Sequence, residues 1–202
     1  MFSAQAKSHK CAVSLAIAIG FIFSAPAAMA DWALDNDGSQ LSFVSVKAGQ
    51  AAEAHHFKKL IGVVGDDGNV NVEIDLSSVE TKIDIRNTRM MEMLFEVVKY
   101  PAATVSAAVP QDVLADLKAG ERRRQKVTFD LSMRGITKKM EAEVLITGAG
   151  GSAIAVATTE PIILPAAWFE LSAGIEKLRE VAGLPSITSA VPVSFDLMFR
   201  EK

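Results

Sequence analysis

From Leu41 onward, apolar and polar residues alternate with a period of two, the spacing of strands with one dry and one wet face. Leu41-Ser42-Phe43 opens one run after Gly38 and Ser39. Val70, Val72, Ile74 and Leu76 alternate with Asn71, Glu73, Asp75 and Ser77. Val127, Phe129, Leu131 and Met133 alternate with Thr128, Asp130, Ser132 and Arg134. Met140, Ala142, Val144 and Ile146 repeat the pattern around Glu141 and Glu143, and Val191, Val193, Phe195, Leu197 and Phe199 close it. Breakers fall between the runs at residues 65–68, at Gly135 and at residues 148–151. Such segments predict a mainly β, antiparallel fold solvated on one side of its sheet. About eight strands can close into a barrel and so remove exposed edges, although a sandwich satisfies the same alternation. The inward positions are aliphatic, Phe, Met or Ala: Phe43, Val72, Ile74, Phe129, Leu131, Met133, Ala142, Val144, Phe195 and Leu197. In a barrel of this size they either fill the interior or line a hollow for one small apolar guest.

The stretch DIRNTRMMEMLFEVVKYP, residues 84–101, departs from this period. At 100° per residue, Met90, Met93, Leu94 and Val97 form a stripe that Met91, Phe95 and Val98 widen, with Arg89, Glu92 and Glu96 opposite. The apolar arc covers roughly 200°, about twice what one flat contact needs. The helix is therefore expected to lie between the sheet and a second element, with Asp84 or Asn87 capping its start and Tyr100-Pro101 stopping it. Residues 172–185, SAGIEKLREVAGLP, predict that second element: a short helix capped by Ser172, striped by Ile175, Leu178, Val181 and Ala182, and ended by Gly183 and Pro185. The methionine-rich helix either plugs a filled barrel or roofs a cavity and touches its guest, a role that adaptable Met side chains suit.

Composition changes the picture at the amino terminus. Lys7 and Lys10, the apolar run from Ala12 to Phe23 and the site Ala28-Met29-Ala30 predict a signal peptide over residues 1–30. It is too short and wrongly flanked for a retained anchor, so a periplasmic protein without a membrane span is expected. The remaining residues 31–202 number 172, enough for one domain with its own core. Removing two lysines and no acid moves the net charge from −3 to −5, and no nucleic-acid surface is indicated. The one basic run, Glu121 to Lys126, is expected to be a solvated loop. Cys11 lies in the leader, so no disulfide stabilises the domain.

Catalytic and metal chemistry is sparse. His55 and His56, as strand neighbours, point to opposite faces, while Glu53 and His55 share one. Metal-ligand spacing, nucleophile elbows and phosphate loops are absent, and neither a cofactor nor a metal is expected. Arg86 and Arg89 lie on neighbouring positions near a helix start, where the dipole disfavours cations. A polar head group or Glu53 would balance them.

Several blocks, in order, resemble the YceI-like family of exported bacterial proteins. They are WALDNDGSQLSFVSVK (32–47), AEAHHFKKLIGVV (52–64), SSVETKIDIRNTRMMEMLFEVVKYPAATV (77–105), VTFDLSMRGITKKMEAEV (127–144) and GLPSITSAVPVSFDLMF (183–199). One departure is the absence of the family's usual Gly at the start of the strand in the fourth block. The resemblance covers residues 31–202 as one domain. It implies a lipocalin-like antiparallel barrel with one or two short helices near its mouth, binding an isoprenoid-type amphiphilic lipid such as a polyprenyl compound or quinone. Residues expected to touch that lipid are Phe43, His55, Phe57, Arg86, Arg89, Met90, Met91, Leu94, Phe95, Phe129, Leu131 and Phe195. A carrier without catalytic residues is the leading expectation. An enzyme using Glu53 and His55 as acid and base, or a filled barrel acting through its surface in a stress-related assembly, stands beside it. Whether the protein forms a homodimer is left open.

Overall fold

The structure, a computed structural model, describes residues 30–202 apart from 66, 111, 112, 114–116 and 151. The expected signal peptide, residues 1–30, lies outside it except for Ala30. The strands are β1 (Ala30–Lys47), β2 (Ala51–Phe57), β3 (Leu60–Gly65), β4 (Asn69–Asp75), β5 (Val79–Glu80) and β6 (Ala102–Ala108). They continue with β7 (Arg122–Met133), β8 (Ile136–Gly150), β9 (Ala153–Thr158), β10 (Ile162–Pro165) and β11 (Ala190–Glu201). Helix α1 (Asp84–Arg89) runs into a π-helical turn (Met90–Phe95), and α2 (Ser172–Val181) precedes β11.

Antiparallel pairing in the order β1-β11-β9-β8-β7-β6-β4-β3, with β3 returning to β1, closes an eight-strand barrel. Within it β2 extends the line of β3 along β1, and β10 extends the line of β9 along β11. Following the chain up and down places the 48–50 turn, residues 76–101, the 134–135 turn and residues 166–189 at one end. Both helices belong to that end.

The first strand begins at Ala30, not at Leu41, and the reason is a shift of phase. Trp32 and Leu34 face inward, with Leu34 opposite Phe199. Between Asp35 and Gln40 the register with β11 slips, and Leu41 and Phe43 then carry the inward face. The bulge is stitched by side chains. Asn36 accepts from the Leu60 amide at 2.7 Å and donates to the Lys58 carbonyl at 3.0 Å, satisfying the backbone where β2 gives way to β3. Ser39 donates to the Asp35 carbonyl and accepts from the Met198 amide.

The basic run is a correction. Arg122 to Lys126 form the first half of β7, paired with Glu143 to Thr147 of β8. Outward Arg124 and Lys126 meet Glu143 and Glu141 across the ladder, and inward Arg123 bonds Glu121 and the Val113 carbonyl. Charges at strand period therefore read as a strand face once the facing glutamates are counted.

The predicted helix over 84–101 is shorter and of mixed type. It ends at Phe95 because Glu96 turns left-handed (φ 51°), which leaves Val97 beyond the helix and Val98 fully exposed. Neither Asp84 nor Asn87 caps it, and Ser172 does not cap α2; the preceding residues Ile83 and Leu171 take those positions without side-chain bonds. Asn87 instead reaches back, accepting from the Thr81 amide and hydroxyl at 2.8 and 2.6 Å and donating to Glu80. The second contact for the wide apolar arc is α2. A Cβ at Gly174 would stand 2.6 Å from the Met93 carbonyl oxygen and 2.8 Å from Leu94 Cα, so only glycine lets the helix approach the π turn this closely.

Candidate ligand-binding site

The barrel encloses a cavity of about 240 Å³ whose lining is entirely aliphatic, Phe, Met or Ala. That is near the low end of the volumes typical of small-molecule pockets, roughly 300–1,000 Å³. All ten inward positions read from the alternation line it. The sequence pattern missed other contributors: Ala103, Val105 and Ala107 of β6, Ile154 and Val156 of β9, and Ile175 of α2. The A-T-V-S-A alternation of β6 was a usable signal; the two β9 residues sit in a run too short and too uniformly apolar to give one.

At the helix-bearing end the inward face of the β1–β2 pair changes character step by step. Leu41 stands opposite Phe57, Phe43 opposite His55, Ser45 opposite Glu53, and Lys47 opposite Ala51. Apolar lining thus gives way to imidazole and hydroxyl, then to charge, over four pairs on one face. The rings of Phe43, Phe57 and Phe95 succeed one another at 5.4 and 5.8 Å between cavity and rim, and Phe43 meets His55 at 5.2 Å. Leu94 and Phe95 of the π turn wall the cavity from the other side.

The expected lipid-contacting residues divide accordingly. Phe43, Phe57, Leu94, Phe95, Phe129, Leu131 and Phe195 line the cavity. Met90 is buried in the core behind them and Met91 packs against it half-buried. His55 and Arg86 belong to the rim. Arg86 bonds Glu53 and donates to the Thr81 carbonyl, and Glu53 also pairs with Lys47. Arg89 is not brought to this cluster and makes no side-chain hydrogen bond among the described residues. Of the two arginines, only the one whose helix position faces β2 reaches it.

Rim electrostatics follow from that pairing. Lys47 and Arg86 hold the Glu53 carboxyl below the usual carboxylate range. His55 is 3% exposed, donates to or accepts from Ser45 Oγ through Nε2 at 2.9 Å, and its Nδ1 is buried without a hydrogen-bond partner. Arg86 Nε is likewise buried and unpartnered. Burial, reinforced by the Arg86 charge, pushes the imidazole down from 6.5 to about 4, so it is neutral at pH 7. Glu53 and His55 do not bond each other; each is engaged elsewhere. Among the described residues no group of three or more His, Cys, Asp or Glu could hold a metal.

A stability prediction follows. The unfolded chain protonates His55 near 6.5 and the folded chain only near 4. The stabilisation is whole above 6.5, falls as pH drops through that window and is spent below about 4. Its size is roughly 3 kcal/mol. Urea unfolding at stepped pH should show this loss, and His55→Asn should flatten it between 6.5 and 4.5; an unchanged slope would mean that His55 is already charged when folded.

A family model described as the YceI-like domain matches residues 32–199. The chain belongs to the YceI-like family. Like its relatives among solved structures, this YceI-like chain forms a lipocalin-like barrel. A polyisoprenoid-binding domain from Saccharophagus degradans, implicated in plant cell wall breakdown, is 35% identical, with a TM-score of 0.84 over 86% of this chain and 99% of that one. BcnA of Burkholderia cenocepacia is 20% identical, with a TM-score of 0.63 over 82% and 98%. The YceI protein of Campylobacter jejuni is 18% identical, with a TM-score of 0.54 over 73% and 84%. The last two share the fold. No curated protein matches the chain.

Proposed function

We propose that this YceI-like protein is a periplasmic carrier that sequesters one isoprenoid-type amphiphile, a polyprenyl compound or quinone, inside its barrel. The observation that carries the reading is a cavity with no polar lining, bounded at one end by a graded polar rim. Support comes from the S. degradans relative, a polyisoprenoid-binding domain at 35% identity. Binding rests on burial: each methylene taken from water contributes about 0.8 kcal/mol, so a chain of many carbons needs few hydrogen bonds. Phe43, Phe57, Leu94, Phe95, Phe129, Leu131 and Phe195 hold the chain, with Met90 and Met91 adapting behind the π turn.

His55 and Arg86 orient the head group. His55 Nδ1 and Arg86 Nε are two of the three polar side-chain atoms that burial leaves unpaired among the described residues, the third being Arg134 Nε, and an oxygen of the guest supplies what these two lack. Arg89, which makes no bond to the cluster, is assigned no role in this arrangement. Residues 1–30 act as the export signal and residues 31–202 as the mature domain. No catalytic step is assigned to Glu53 and His55, which have their own partners and do not bond each other.

The test is purification from the native host followed by mass spectrometry of the organic extract. One isoprenoid species in near-stoichiometric amount is expected. An extract free of lipid, together with no uptake of added polyprenols, would rule the carrier out.

A further inference from the structure

Seven large apolar side chains are exposed among the described residues, and five of them gather at one end of the barrel. Ile83 and Ile85 stand either side of Asp84 at the start of α1, Val98 follows the π turn, Trp168 precedes α2 and Val181 is its last residue. The two helical elements that present them pack on each other at Gly174, so the five belong to one cap. Ile85 is 57% exposed and Val98 102%. Isolated exposed hydrophobes are ordinary, but a cluster on one rim marks a contact surface.

Charge says what the contact is with. Residues 31–202 carry −5, yet residues 76–101 hold four basic and four acidic side chains. Lys47 and Arg134, in or beside the neighbouring turns, together offset Glu53, which pairs with Lys47, and the slight negative charge of residues 166–189. The cap is thus close to neutral, and the negative charge sits on the barrel wall and the far end. An acidic protein approaching an anionic bilayer is turned by this asymmetry, cap first. Apolar side chains with an exposed Trp then enter the headgroup region. The cap is also where Leu94, Phe95 and Ile175 wall the cavity, so the contact surface and the end wall belong to the same elements.

We propose that this helix-bearing cap docks reversibly on a phospholipid bilayer, with Ile85, Val98 and Trp168 entering its surface. Taking this as the step at which a guest enters or leaves rests on the carrier reading above; the docking itself does not.

The chain has two tryptophans, so Trp32→Phe leaves Trp168 as the sole reporter. With vesicles of phosphatidylethanolamine and a minority of phosphatidylglycerol, its emission should shift to the blue and be quenched by lipids brominated near the headgroup. Ile85→Ser combined with Val98→Ser should lower the vesicle-bound fraction on the order of tenfold, since both side chains lose their burial. Neither residue lines the cavity, so uptake of a polyprenol from detergent solution should be unchanged in the double variant and serves as its folding control. A vesicle-free wild-type protein, or equal binding by the double variant, would overturn the docking. Failure of polyprenol uptake by the wild type would instead remove the carrier reading and leave the vesicle result to judge docking by itself.

Discussion

Ala142→Trp should abolish uptake of a polyprenol while leaving the barrel folded. Ala142 lines the cavity from β8 and stands opposite Val127 of β7, with Met140 and Val144 on the same face. An indole there occupies much of a hollow of only about 240 Å³. Displacing just four methylenes of a guest removes about 3 kcal/mol, roughly a hundredfold in affinity, and a longer displaced segment removes more. The unfolding midpoint should hold or rise, because the added atoms fill space that is otherwise poorly packed. Equilibrium binding beside thermal unfolding separates the outcomes. Normal uptake by a folded variant would mean that the guest lies elsewhere.

The second large effect concerns the cap. Gly174→Val should destabilise the protein by about 2–3 kcal/mol, because its side chain meets backbone atoms that no rotamer change can clear. In a domain of this size that corresponds to a fall in midpoint of roughly 4–12 °C. To relieve the overlap, α2 must lift from the π turn, exposing Leu94 and Ile175. Loaded protein should therefore release its guest faster as well. Ala173→Val, on the exposed side of the same turn of helix, is the matched control and should change little. Similar unfolding midpoints for the two variants would show that the close approach at Gly174 does not hold the cap in place.

The wall of the cavity was legible in the sequence because each β-strand writes its inward face every second residue. Phe43, Phe129, Leu131 and Phe195 stand where the alternation puts them. Three features hid the rest. The bulge between Asp35 and Gln40 reverses the phase of β1, so Trp32 and Leu34 fall on the wrong parity when counted back from Leu41. The Arg122–Lys126 run reads as a solvated loop until Glu141 and Glu143 are placed beside it, and sequence distance conceals that pairing. The methionine-rich segment satisfies an α-helical stripe through Val98, yet its backbone widens into a π turn and stops at Glu96. Arg134 holds that ending in place, pairing with Glu96, donating to the Leu94 carbonyl and stacking on Tyr100, contacts made from the β7–β8 turn. The rim was half legible. Two-residue spacing puts Glu53 and His55 on one face, but that Arg86 joins Glu53 while Arg89 does not depends on how α1 meets β2.

The most direct measurement is a crystal structure of the protein grown with a polyprenyl alcohol. Continuous density is expected inside the barrel along Phe129, Leu131 and Phe195, ending with the hydroxyl oxygen beside His55 and Arg86. A barrel interior without ligand density, or a polyprenol bound only on the outer wall, would contradict the account.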